Sequence, residues 1–197
     1  MSTQLLVSIA VFALLLFWAV GAYNRLVRLK NAIASAFVQI DVQLKRRYDL
    51  ISNLVEAAKT YLHLERETLD AVLTMLKQAR GASDSARSRP THGTALKTLA
   101  LAEKMLDASL AALFTLAQAY PEFKDNATIL ASRDELSGTD NQLEFARQTY
   151  NEAVLGFNNA QAQFPALLLA RLFAFTPAAQ WQGRSDAADS PAAKIQA

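Results

Sequence analysis

Between residues 24 and 80 the chain contains neither Pro nor Gly, and its apolar positions fall in steps of three, four and seven. Leu26, Ile33, Phe37, Ile40, Leu44, Ile51, Leu54 and Ala58 mark one stripe, which Leu62, Leu69, Val72 or Leu73, and Leu76 continue. This spacing puts the apolar groups on one face of an α-helix, as in the seam of a coiled coil or packed bundle. Read as one element, the stripe predicts a helix on the order of 80 Å long. Gly81 to Gly93 (GASDSARSRPTHG) is small, polar and rich in helix breakers, and predicts a surface loop. A second helix is predicted from about Ala95 to Tyr120, with Leu96, Leu99, Leu106, Leu110, Leu113, Phe114 and Ala117 on one side and Pro121 closing it. A third, from Asn126 or Thr128 to Phe164, ends at Pro165 and carries the heptad row Leu136, Leu143, Tyr150, Phe157 and Phe164. Two shorter helices folding back along one long one give an all-α, antiparallel three-helix bundle over residues 25–175. A short apolar piece, Ala166 to Phe175, completes it, and residues 176–197, rich in Ala, Ser, Asp, Pro and Gln, read as a disordered tail.

The first 24 residues follow a different pattern. No charged side chain occurs from Met1 to Asn24, and Leu5 to Tyr23 reads LLVSIAVFALLLFWAVGAY, about the ~20 residues needed to cross a bilayer core. Trp18 and Tyr23 stand at its end, where amphipathic rings favour the headgroup level. The expectation is an N-terminal transmembrane anchor over residues 1–24. A cleaved signal peptide is the alternative, with Val20-Gly21-Ala22 as a tolerable small-residue site but no basic segment ahead of the apolar stretch. Arg25, Arg28 and Lys30 follow the apolar window directly, and Lys45, Arg46 and Arg47 lie further on with only Asp41 against them. Under the positive-inside rule this asymmetry predicts a single-pass protein of a bacterial inner membrane with its bundle on the cytoplasmic side.

Composition supports the helical reading. The hydrophobic share is 52%, yet Gly and Pro number only 6 and 5, too few to punctuate an all-β or α/β chain. There is no cysteine, which excludes a disulfide framework and a thiolate metal site. A net charge of +2 gives no reason to expect nucleic acid, and Lys45-Arg46-Arg47 lacks the interleaved aromatics of a nucleic-acid surface.

Several polar residues fall on or beside the apolar seams: Asp41, Arg47, Asp49, Glu65, Glu135, Asp140 and Arg147. Arg47 stands seven after Ile40 and seven before Leu54, so it must find a partner if buried, with Asp134, Glu135 or Asp140 the nearest expectation. Ion pairs that fix helix register are the structural reading, and a ligand or proton site the functional one. His63 and Glu67 share a helical spacing, but no second helix supplies a matching Glu-x-x-His pair and one His with a carboxylate is too few ligands for a metal. No Gly-rich phosphate loop, nucleophile elbow or zinc spacing appears. No catalytic residue, metal or cofactor is therefore expected.

Two stretches resemble the LemA family: Tyr23 to Leu69 and Ala119 to Val154. The matching details include Tyr23-Asn24, Asp41-Val42-Gln43-Leu44-Lys45-Arg46-Arg47, Asp49-Leu50-Ile51, Asn53-Leu54-Val55, Glu65, Tyr120-Pro121, Glu135-Leu136-Ser137-Gly138-Thr139, Asn141, Ala146-Arg147 and Tyr150-Asn151. Several are polar runs that amphipathic patterning would not dictate. Phe37-Val38, Ser52 and Leu64 depart from the family pattern, which often has Trp with a small polar residue, Pro and His at these places. The resemblance implies an N-terminally anchored membrane protein with an antiparallel helical bundle and no established enzymatic activity; some relatives are tied to bacterial membrane organelles, magnetosomes among them.

The functional expectation is a non-enzymatic, membrane-anchored scaffold that forms homo-oligomers and organises or shapes membrane, in contact with lipid and a further membrane protein. The alternative is a membrane-tethered ligand-binding, sensor or adaptor protein that uses the polar residues between its helices. Ala166 to Phe175 is expected either to make a second membrane or partner contact or to cap the end of the bundle. Val55, Leu62 and Leu73 drift off the main row and are expected on an outer face.

Overall fold

The computed structural model describes residues 3–61, 66–124 and 126–181. They form six helices: α1 (Thr3–Tyr61), α2 (Arg66–Ser88), α3 (Gly93–Ala117), α4 (Pro121–Lys124), α5 (Ala127–Ala162) and α6 (Ala166–Leu172). No strand occurs among the described residues.

α1 runs without a break from the apolar window into the core. Its first turns project beyond the rest of the fold: the most apolar 18-residue window has a mean hydropathy of 2.6 and is 0% buried. α1 is thus long and apolar enough to cross a membrane, and it is a candidate anchor whose position near the N-terminus a signal sequence would share. From Leu26 onward one face turns inward, and Leu26, Ile33, Phe37, Ile40, Leu44, Ile51, Leu54 and Ala58 are all buried.

The expected single helix through Arg80 is corrected to two. α1 ends at Tyr61, and α2 runs back along it, pairing Asp49 with Arg80 and Asp41 with Arg87. Glu65 and Leu62 lie outside the described residues. The stripe did not mark the reversal because the spacing of apolar residues records which face is buried and not the direction of travel. The expected loop from Gly81 is also corrected, since α2 continues to Ser88 and only a short turn precedes α3. Ala79, Ala82, Ser83 and Ala86 form its buried face, small enough for close packing. A Cβ at Gly81 would meet nothing within 4 Å, so that glycine costs only its helix propensity, ~1 kcal/mol.

α2 packs against α1 and α3, and α5 packs along α1. Phe37 meets Tyr150 edge-on at 5.9 Å, and Asn126 donates to the Tyr61 hydroxyl at 2.8 Å, so α5 descends as α1 ascends. The bundle therefore has four long helices in alternating directions instead of three. Asn126 caps α5, its side chain accepting from the amides of Thr128 and Ile129. Of the α5 heptad row, Leu136, Tyr150 and Phe157 are buried and Leu143 is half-buried, while Phe164, beyond the helix end, is exposed. Val55 is buried and Leu73 half-buried against the core, which corrects their expected outward position.

After α6 the chain reverses. The Phe175 amide donates to Ala170 O at 2.8 Å and the Ala174 amide to Arg171 O at 3.2 Å, and Ala174 takes φ 52°. This is a Schellman stop with alanine at the left-handed position that glycine usually occupies. The chain then lies extended on α5, which corrects the expected disorder of residues 176–181. Asn158 accepts from Ala178 N and donates to Ala178 O, both at 2.9 Å. Asn151, seven residues earlier on α5, accepts from Trp181 N at 2.9 Å and donates to Trp181 O at 3.1 Å. Ala178 and Trp181 are buried. Residues 182–197 lie outside the described residues.

Candidate functional site: one buried arginine shared by three carboxylates

Arg47, on α1, is 1% exposed. Charge is costly to hold there unless its donors are paired. One terminal nitrogen meets Glu103 and the other meets Asp107, two carboxylates one turn apart on α3. Its Nε lies 2.9 Å from Asp140 Oδ1 on α5. The planar guanidinium thus fastens three helices at one level, a task suited to its fixed fork of donors.

Tyr48, the next residue on α1, donates to Glu103 Oε1 at 2.6 Å. Its hydroxyl also lies 3.3 Å from Ala79 O, which brings α2 to the same level. One cation thus faces three anionic groups. Burial pushes the Glu103 carboxyl above its ordinary range, and Arg47 and the Tyr48 hydrogen bond only partly oppose this. Burial and the neighbouring Glu103 charge likewise raise the Tyr48 hydroxyl. Burial alone would lower the Arg47 pKa, but Glu103, Asp140 and Asp107 together reverse this and raise it, so the guanidinium stays charged.

The other seam residues are distributed more widely. Asp41 is buried, binding Lys45 at 2.8 Å along α1 and approaching Arg87 of α2 at 3.8 Å. Asp49 is exposed and bridges to Arg80 of α2 at 3.1 Å. Glu135 is exposed on α5, as is Asp134, so of the three carboxylates expected near Arg47 only Asp140 reaches it. Arg147 pairs along its own helix with Glu144 and donates to Trp181 O at 3.4 Å, which ties it to the C-terminal segment and not to another helix. Arg25, Arg28 and Lys30 are exposed where α1 leaves its apolar window, with Lys30 Nζ 5.9 Å from the centre of the Phe175 ring.

Glu103 and Asp107 were missed from the sequence. A signal existed, because Leu96, Leu99, Glu103, Leu106, Leu110 and Leu113 form one row by steps of three and four, with an acid where a leucine belongs.

Chemically, the cluster is a register lock that carries surplus negative charge. The position a metal would take among the three carboxylates is filled by the guanidinium, and no group of three or more His, Cys, Asp or Glu is disposed to hold a metal among the described residues.

No curated protein matches this chain. The family model described as LemA family matches residues 36–196, a span that contains the whole Arg47 cluster and the clamped C-terminal segment. With most of its length matched, the chain belongs to the LemA family.

Proposed function

We infer that the protein is a membrane-anchored, non-enzymatic scaffold whose copies associate side by side. In this reading residues 3–24 span a bacterial inner membrane and the bundle stands on the cytoplasmic side, in line with Arg25, Arg28 and Lys30. The observation that carries the reading is an open groove between α1 and α5. Val38, Val42 and Phe145 are exposed there, Phe145 by 68%, among the uncharged Gln39, Gln43, Asn141 and Gln142. A groove without charge meets its own copy without repulsion, and it lies on the side of the rod, between two helices that run lengthwise. Two copies can then pair about a twofold axis along the membrane normal, with both anchors entering the same bilayer. Tethering in two dimensions raises the effective concentration, so weak lateral contacts suffice.

The test is the mass of the full chain in mild detergent and in lipid discs. A dimer or larger assembly in both is expected; a strictly monomeric protein in both overturns the reading. A second reading, a membrane-tethered ligand or signal sensor, draws on the surplus negative charge around Arg47. It predicts that Glu103→Gln changes a cellular response while leaving assembly intact.

A further inference from the structure

α6 and its flanks expose more large apolar surface than a helix end requires. Phe164 is 81% exposed, Leu168 59%, Leu172 75% and Phe173 52%. Leu168 and Leu172 are one turn apart on α6 and share an outward face, Phe164 is exposed just ahead of the helix, and Ala170 is buried.

The level of this strip along α1 is fixed by contacts. Trp18, Gly21, Ala22 and Arg25 line a groove together with Phe164 and Pro165. The Tyr23 ring lies 4.8 Å from that of Phe173 and 6.0 Å from that of Phe175. α6 therefore sits beside the last turns of the apolar window, where a spanning helix passes from hydrocarbon to headgroups. The charges at this end have one sign: Arg25, Arg28, Lys30 and Arg171 are exposed, and neither residues 1–40 nor residues 153–185 contain an Asp or Glu.

We propose that α6 is a second, interfacial membrane contact, with the apolar strip of Leu168, Leu172 and the flanking Phe164 and Phe173 sunk into the acyl boundary and the four cations binding anionic phospholipid headgroups. This rests on the reading of residues 3–24 as a membrane span. An apolar strip flanked by basic residues is the pattern of a helix lying in a bilayer interface, and basic side chains beside an anionic leaflet are attracted within a Debye length. The fold contributes geometry: the Tyr23–Phe173 contact and the Schellman stop hold α6 against α1, so insertion of the anchor delivers the strip to the same depth. Two attachments would fix the tilt and rotation of the rod, which a single span leaves free.

The chain has no cysteine, so single spin labels can be introduced cleanly. Full-length variants Leu14→Cys, Leu168→Cys, Leu172→Cys, Leu101→Cys and Leu155→Cys are labelled in lipid discs of phosphatidylcholine with and without phosphatidylglycerol. Collisions with oxygen should exceed those with a water-soluble nickel chelate at residues 14, 168 and 172, and the order should reverse at residues 101 and 155. Phosphatidylglycerol should deepen the labels on α6, and the quadruple variant Arg25→Gln, Arg28→Gln, Lys30→Gln, Arg171→Gln should lose that response. Water-exposed labels on α6 with a buried label at residue 14 overturn the interfacial contact while sparing the anchor; a water-exposed label at residue 14 overturns both. Labels on α6 shielded from both reagents and broadened by a neighbouring spin assign the strip to a second copy and also overturn the proposal. A depth indifferent to phosphatidylglycerol overturns the headgroup part.

Discussion

The Tyr48 hydroxyl and Arg47 occupy opposite oxygens of Glu103, the hydroxyl donating to Oε1 at 2.6 Å and the guanidinium pairing with Oε2. Arg47 also serves Asp107 and Asp140, so its charge does not fully offset the burial of Glu103, whose pKa stands above the ordinary 4.5. Between that ordinary value and the raised folded one, the native chain keeps a proton that the unfolded chain has released. The stability this group contributes is therefore full below the unfolded pKa and is lost as pH rises through the folded one. Relative to Glu103→Gln, the wild type should lose melting temperature as pH climbs from the unfolded carboxylate range toward alkaline values. Paired thermal melts across that range check this; a wild-type advantage that grows with pH would contradict it.

Arg47→Ala leaves three carboxylates in the core without their shared cation. Breaking a buried pair in this way costs about 3–5 kcal/mol, which should be visible in denaturant unfolding of the detergent-solubilised chain. Neutralising the acids as well, with Arg47→Met, Glu103→Gln, Asp107→Asn and Asp140→Asn, should recover most of the loss, because isosteric apolar and amide replacements remove the uncompensated charge. Failure of the quadruple variant to recover stability would show that the cluster contributes more than charge balance.

Particular residues show what the sequence made legible. The all-α class and the buried faces of α1 and α3 follow from apolar spacing, which reports directly on burial. The chain reversal between α1 and α2 was not legible, because Leu69, Val72 and Leu76 stay in helical phase with the residues before them while the chain turns back. Arg47 stood out as a charge between Ile40 and Leu54, but Glu103 and Asp107 lie far from it in sequence, and only the folding of α3 beside α1 joins them. The clamped segment at 176–181 was hidden for another reason. Its main chain is held by asparagine side chains of α5, and local composition carries no trace of such a partner.

Ala174 pays a steric penalty that glycine avoids, since a Cβ at φ 52° crowds the following carbonyl. Ala174→Gly should stabilise the α6 stop by about 1 kcal/mol, provided the Phe175–Phe157 contact at 6.2 Å is kept. Slower hydrogen exchange at the Phe175 amide, which donates to Ala170 O, would register the gain. Unchanged or faster exchange would count against it.

Phe145 offers a direct challenge to lateral assembly. Its exposure means that Phe145→Asp should cost the isolated bundle little, within about 0.5 kcal/mol of wild type. Across a twofold interface the same change sets two carboxylates near each other in an apolar groove, and such juxtaposition costs several kcal/mol. Assembly in lipid discs should weaken by about tenfold or more. Leu101→Asp, another exposed apolar position but on α3, is the control and should leave assembly unchanged. Equal effects at the two positions would argue against the α1–α5 groove as the contact.

The last expectation concerns the two asparagines on α5. Asn151 and Asn158 each offer a carbonyl oxygen and an amide N–H, the complement of one residue's main-chain N–H and C=O, and their spacing of seven keeps both on one face of the helix. Together they hold the main chain at Ala178 and Trp181 as a neighbouring strand would. Tyr150 adds its hydroxyl, 2.6 Å from Pro90 O and 2.8 Å from Ala179 O, so the same segment is braced against the turn between α2 and α3. Each hydrogen bond contributes about 1 kcal/mol net, so Asn158→Ala removes about 2 kcal/mol from the local closure while leaving the core intact. Local opening, not global unfolding, is then the event to measure. In a Trp18→Phe background, Trp181 is the sole tryptophan and is buried, so release should shift its emission to the red and speed exchange at the Ala178 and Trp181 amides. Asn151→Ala should act on Trp181 first and Ala178 second, and Asn158→Ala in the reverse order. If neither substitution moves the emission or the exchange, the segment is held by the burial of Trp181 alone and the asparagine clamp is incidental.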